Sequence, residues 1–169
     1  MIKFAGIYAS TTFHFEGVQL GVLFIVTNAV AVPGTLLAGR LASRLGTKRA
    51  LVMTIVLWIV VVAMGAVATS KLAFWIMACG VAIGMGSTQS ISRSFMSRLA
   101  PNSREAEFFG FYVVAGQVGA AVSLMVFGLV STLSGNQRLA FAWTVPVFVF
   151  GLLLLLRVHD RVGEERSED

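Results

Sequence analysis

ALVMTIVLWIVVVAMGAVATS, residues 50–70, runs for 21 residues without a charged side chain and is bracketed by Arg49 and Lys71. At about 1.5 Å rise per residue, a helix of that length covers roughly 30 Å, the thickness of a bilayer's hydrocarbon core. The solvent this stretch is written for is oil. Its neighbours have the same form: 23 uncharged residues separate Glu16 from Arg40, 21 separate Lys71 from Arg93, 30 separate Glu107 from Arg138, and 18 separate Arg138 from Arg157. Spans are expected at about 17–39, 50–70, 72–92, 108–133 and 139–156. The fold class this implies is all-α, a polytopic membrane helix bundle over residues 1–158 with no internal domain boundary.

Composition agrees. Of the 169 residues, 57% are hydrophobic and 12% charged, with mean hydropathy +0.85; a soluble domain carries about 25% charged residues. Phe4 to Phe13 is too short to cross a bilayer, and a partial helix over 3–13 reads as the end of a cut one. A cleavable signal peptide does not fit, because the apolar content continues to Leu156. The acidic tail, 159–169, is expected to be a solvated, disordered, cytoplasmic segment. The single Cys79 provides neither a disulfide framework nor a thiolate cluster, and no metal site or cofactor is expected. The net charge of +5 does not point to nucleic acid, since the basic residues sit at span ends rather than in a stripe with aromatic partners. An enzyme is not expected either: no His pair, carboxylate dyad or thiolate set falls within a span.

The basic residues also orient the chain. Arg40, Arg44, Lys48 and Arg49 lie in the first connection, Arg93, Arg98 and Arg104 in the third, and Arg157, Arg161 and Arg166 in the tail. Lys71 and Arg138 stand alone in the second and fourth. Lys and Arg are retained inside, so the first and third connections and the C-terminus are expected to be cytoplasmic, in a multi-pass protein of the cell membrane. Trp75 and Trp143 then fall near outer ends and Tyr112 near an inner one, as aromatic belts prefer. Trp58 falls mid-span, facing lipid or packing against a neighbour. In the third connection Pro101 stops a helix, Asn102 can cap the next, and Glu105 is expected at its third position, where acids suit a helix N-terminus.

The spans differ in polarity. The second has no polar side chain between Thr54 and Thr69 and the fifth only Thr144, so both can face lipid over most of their circumference. The first holds Gln19, Thr27 and Asn28, with Pro33 close by; the third holds Ser87, Thr88, Gln89, Ser90 and Ser92; the fourth holds Gln117 and Ser123. Amides in hydrocarbon cost several kcal/mol unless paired or wetted, so these three helices are expected to turn inward. Asn28, Gln89, Gln117, Ser87 and Thr88 are the candidates to line a cavity, with interhelical hydrogen bonding the alternative. Small residues four apart, Gly17 and Gly21, Gly80 and Gly84, Gly116 and Ala120, fit close helix packing.

Two motifs carry a resemblance. GRLASRLGTKR, from Gly39 to Arg49, is first a basic turn: Gly39 and Gly46 permit it, while Arg40, Arg44, Lys48 and Arg49 anchor it at an anionic leaflet and can cap helix C-terminal carbonyls. Its spacing is similar to the glycine-and-basic signature between the second and third helices of each half of major facilitator superfamily transporters, with Ser43 where that signature usually has Asp. GSTQSISRSFMSRLAPNSREAEFFGFY, from Gly86 to Tyr112, resembles the vacuole effluxer-like family of that superfamily, the autophagy-related permeases and their bacterial relatives. The matching residues are Gln89, Ser92, Arg93, Ser94, Pro101, Phe108, Phe109, Gly110, Phe111 and Tyr112.

By that resemblance the chain is the C-terminal half of a major facilitator fold, helices 8 to 12 plus the end of helix 7, with the eighth, tenth and eleventh around a central cavity. Gln117 stands where relatives commonly have Lys. The implied function is secondary transport of a small solute, an amino acid or similar, by alternating access, and the implied partners are membrane lipid and a missing N-terminal half or a second chain. No acid lies within the five spans, so a proton-coupling carboxylate would belong to the other half or be Glu16 with His14 beside it. The competing reading is a non-transporting membrane subunit or scaffold that assembles with other membrane proteins.

Overall fold

The computed structural model describes residues 17–158 except 68, 69, 102 and 136. The partial helix at 3–13, the pair His14 and Glu16, and the tail at 159–169 lie outside the described residues. Five α-helices follow one another: α1 (Gly17–Leu45), α2 (Thr47–Val67), α3 (Lys71–Leu99), α4 (Glu105–Ser134) and α5 (Gln137–Arg157). Each is long and apolar enough to cross a membrane. The fold is an all-α membrane helix bundle.

Successive helices run in opposite senses, which gathers Arg40, Arg44, Lys48, Arg49, Arg93, Arg98, Arg104 and Arg157 at one end, called here the basic end. α1 and α3 outrun the neutral stretches that announce them, reaching Leu45 and Leu99. Arg40, Arg44, Arg93 and Arg98 are therefore helical, and their long side chains can carry the charge to the headgroups while the stem stays on the helix. The connection expected over Gly39 to Arg49 is in fact a single residue. Gly46, at φ 89°, turns the chain between Leu45 and Thr47, where a side chain would be strained. Gly39 lies inside α1 with open space around it, so it has no part in the turn.

The capping expectation for α4 also needs correction. The helix starts at Glu105, behind an Arg104 that makes no side-chain cap bond, so Glu105 is its first residue and not its third. Asn102 is not among the described residues. The turn is closed instead by the backbone, Arg104 N–H to Pro101 O at 2.9 Å, and the acids Glu105 and Glu107 both fall in the first turn. At α3, Ser70 caps as its type suggests, its hydroxyl accepting from Ala73 N–H at 3.2 Å.

α3 is the hub. It packs along α1 on one side and α2 on another, α2 packs on α5, and α5 on α4; α3 and α4 touch only slightly. Two apolar layers fill the centre. One joins Leu23, Val61, Phe74 and Met77; the other, nearer the basic end, joins Ala50, Leu51, Ile91 and Phe95, with Ala38 and Ala42 of α1 and Leu155 of α5 against it. Close approach depends on glycine. A methyl on Gly80 would lie 2.5 Å from Val61 Cγ2, one on Gly34 2.6 Å from Ile83 Cγ1, and one on Gly86 would collide with the Thr35 hydroxyl. The Gly80 and Gly84 pair is thus an interface, whereas Gly21 and Gly116 have nothing within 4 Å.

α2, the span with the fewest polar groups, is buried along one side only: Thr47, Ala50, Leu51, Thr54, Val61, Val62 and Gly65 pack against α3 and α5, while Met53, Val56, Val60 and Val67 stay exposed. Lipid tails are as apolar as Leu, so lack of polarity does not send a helix outward in a membrane. α4, which carries an amide, buries no residue at all.

Candidate functional site

The polar residues of α1, α3 and α4 divide into two groups. Ser87 is 1% exposed, its hydroxyl donating to Ile83 O at 2.7 Å. Thr88 donates to Gly84 O at 2.6 Å and accepts from Trp58 Nε1–H at 2.8 Å, so it faces α2. Both hydroxyls are satisfied inside helix interfaces. Asn28, Gln89 and Gln117 are exposed. Asn28 donates only to its own helix, Nδ2 to Phe24 O at 2.8 Å, and the side chains of Gln89 and Gln117 make no hydrogen bond to another described residue.

Helical phase explains the division. On α3, Ile83 and Gly86 meet α1, while Gly80, Gly84 and Thr88 meet α2. Met85, Gln89, Ser92 and Arg93 are left on the remaining face, toward α4. There Ser92 Oγ and Tyr112 Oη lie 2.7 Å apart. Tyr112 is met edge-on by Phe109, ring centroids 6.3 Å apart at 75°. Ser92 and Tyr112 of the longer motif, distant in sequence, are thereby brought together near the basic end, with Phe109 one turn away on the same helix as Tyr112. Its others are not: Arg93, Pro101 and Gly110 are exposed, and nothing lies within 4 Å of where a Gly110 side chain would begin.

In the shorter motif Lys48 does what a basic residue near a helix C-terminus can do. Its Nζ donates to Val158 O at 2.6 Å and Leu156 O at 3.3 Å, capping α5 across the bundle. Arg40, Arg44 and Arg49 are exposed at the same end.

Trp58 is the residue that sequence reasoning underrated. It sits in the notch left by Gly84, bonds Thr88 and stacks on Phe148 of α5, centroids 5.7 Å apart and planes 9° apart. It ties α2, α3 and α5 together. A mid-span indole was the available signal, because its N–H needs a partner in oil.

Over residues 1–168 the chain matches the model of the vacuole effluxer Atg22-like family. It belongs to that family. Among curated members of known sequence, an uncharacterized MFS-type transporter of Bacillus subtilis (strain 168), YxiO, is 30% identical over 150 residues, covering 89% of this chain and 35% of that protein. Autophagy-related protein 22 of Candida glabrata is 23% identical over 96% of this chain and 32% of its own length. That of Kluyveromyces lactis is 24% identical over 96% and 34%. The chain thus spans about a third of the length of the curated relatives it matches. No solved structure matches it. As a multi-pass membrane protein of this Atg22-like family, it is bounded by lipid, and the exposed apolar side chains along α4 and α5 fit that solvent.

No group of three or more His, Cys, Asp or Glu able to hold a metal ion occurs among the described residues.

Proposed function

We propose that this chain forms the C-terminal half, helices eight to twelve with the end of the seventh, of a secondary transporter that moves a small solute such as an amino acid by alternating access. The observation that carries this reading is the set of amides on α1, α3 and α4, Asn28, Gln89 and Gln117, exposed on helices otherwise suited to oil. An amide facing lipid tails costs several kcal/mol. These amides are therefore expected to meet water, solute or other polar helices, as residues at the site between two rocking halves do. The names of the relatives, an MFS-type transporter among them, support the same reading. The alternating basic residues support a cytoplasmic basic end and C-terminus. Thr88 and Ser87, already bonded within the bundle, hold helices rather than solute.

The test is flux. The complete gene product, reconstituted into liposomes loaded with labelled amino acids, is expected to release at least one of them. Asn28→Leu, Gln89→Leu and Gln117→Leu are each expected to slow that release by about tenfold, the effect of one lost hydrogen bond of ~1.4 kcal/mol to a desolvated polar group, while the yield of folded protein stays unchanged. No release of any amino acid, together with a stable membrane partner on purification, would favour the scaffold reading instead.

A further inference from the structure

Arg93 stands on the same face of α3 as Gln89, one turn nearer the basic end, because residues four apart fall on one side of a helix. That face is a wedge. On one side of it Ile83 and Gly86 meet α1, and on the other Ser92 is held by Tyr112 of α4. α1 and α4 form no packed interface with each other, so the wedge between them stays open. Gly39 adds room. α1 and α3 run in the same direction with Thr35 against Gly86, which puts Gly39 about level with Gln89, and nothing lies within 4 Å of where its Cβ would stand.

The two polar groups in the wedge are unpaired. Gln89 and Arg93 are exposed, and their side chains make no hydrogen bond or ion pair with another described residue. The acids of the five helices are Glu105 and Glu107, both in the first turn of α4, and neither forms an ion pair with Arg93. A guanidinium six residues inside the end of α3, about 9 Å along the axis, calls for an anion.

Two destinations compete for that charge: a headgroup phosphate beyond the basic end, and an anionic group inside the wedge. Side-chain direction favours the second. α3 runs toward the basic end, and helical side chains lean back toward the N-terminus over the residue four before. The stem of Arg93 therefore leads to Gln89 and the middle of the bilayer, away from the headgroups. Arg98 differs. It lies in the last turn of α3 and about 140° round the helix from Arg93, outside the wedge.

We propose that Arg93 receives the carboxylate of the solute, its planar fork pairing with both oxygens, while the Gln89 amide one turn deeper bonds the solute's next polar group. The solute class is then small carboxylates, amino acids among them, and not neutral or purely cationic compounds. The inference rests on the transport reading, and the two fail separately.

The complete gene product, purified in a neutral detergent, is given a mixture of the twenty labelled amino acids, with unlabelled amino acids or their amides as competitors. The amides keep side chain and amine and lack the negative charge. The acids are expected to compete about thirtyfold better than the amides with the parent, the effect of one charge-assisted pair. Arg93→Gln is expected to bring that ratio to about one, and Arg93→Lys, which keeps the charge without the fork, to an intermediate value. Arg98→Gln is expected to leave it unchanged. Were Arg93 structural, or paired with a lipid phosphate or an acid elsewhere in the protein, Arg93→Gln would keep the parent's ratio, and that result overturns the site. Added phosphatidylglycerol identifies the lipid case by raising the melting temperature of the parent and not of Arg93→Gln. Failure of the parent to bind any amino acid also overturns the site. Should Arg93→Gln not accumulate in the membrane, Arg93→Lys decides by the same ratio. Binding that depends on Arg93 without flux in liposomes keeps the site and removes the transport reading; flux inhibited equally by acids and amides does the reverse.

Discussion

α2 and α4 are both long, apolar and free of charge in mid-span, yet one is packed along a side and the other is bare. α2 lies between α3 and α5, with seven buried residues and an indole in a glycine notch. α4 buries nothing, although it has glycines at 110, 116, 119 and 128, and none of these has a neighbour within 4 Å of where a Cβ would stand. The difference shows that the degree of apolarity does not set how much of a helix this bundle covers. Steric fit does, because lipid offers hydrocarbon as good an environment as protein and only a closer approach than lipid can make distinguishes the two.

The contrast is most exposed to test at Trp58. Trp58→Ala is expected to lower the unfolding free energy, measured by SDS titration in mixed micelles, by about 3 kcal/mol, whereas Phe111→Ala on the bare helix is expected to lie within about 0.5 kcal/mol of the parent. An equal loss at Phe111, which is 68% exposed, would mean that α4 is covered after all. Next in size is a glycine exchange. Gly80→Ile drives a branched side chain into Val61 and is expected to cost about 2 kcal/mol, while Gly116→Ile is expected to have no effect beyond about 0.5 kcal/mol in the same titration.

A smaller effect sharpens the packing of α2 from its end. Lys48→Met removes the cap on α5 and is expected to cost about 1 kcal/mol, with faster amide exchange confined to the last turn of that helix. Smallest is the bond inside the notch: Thr88→Val keeps the shape and removes the acceptor of the Trp58 N–H, for about 0.6 kcal/mol. If Thr88→Val matched Trp58→Ala, the indole would be held by its hydrogen bond and not by packing.

Much of this architecture is written in the charges. A charged side chain cannot rest at the bilayer centre without a large penalty, so the positions of Arg40, Arg49, Lys71 and Arg93 bound the stretches that can cross the hydrocarbon. What charges cannot give is where a helix stops, since Arg44 and Arg98 sit on helices that run on to Leu45 and Leu99. Nor can residue type alone assign a side. Ser87, Thr88 and Gln89 are adjacent in sequence and equally eligible as cavity residues, but successive positions are about 100° apart on a helix. The first is buried, the second bonds α2, and the third faces outward. Phase relative to a neighbour depends on where that neighbour packs, and Gly34, Gly80 and Gly86 settle this only in three dimensions. Ser92 and Tyr112 are visible in the sequence as motif members, but nothing in one dimension brings their hydroxyls to 2.7 Å.

The one-residue turn at Gly46 makes α1 and α2 a hairpin without slack. With a single glycine between Leu45 and Thr47, neither helix can slide or tilt in the bilayer without dragging the end of the other, so a tag or spacer spliced at this joint is expected to uncouple the two.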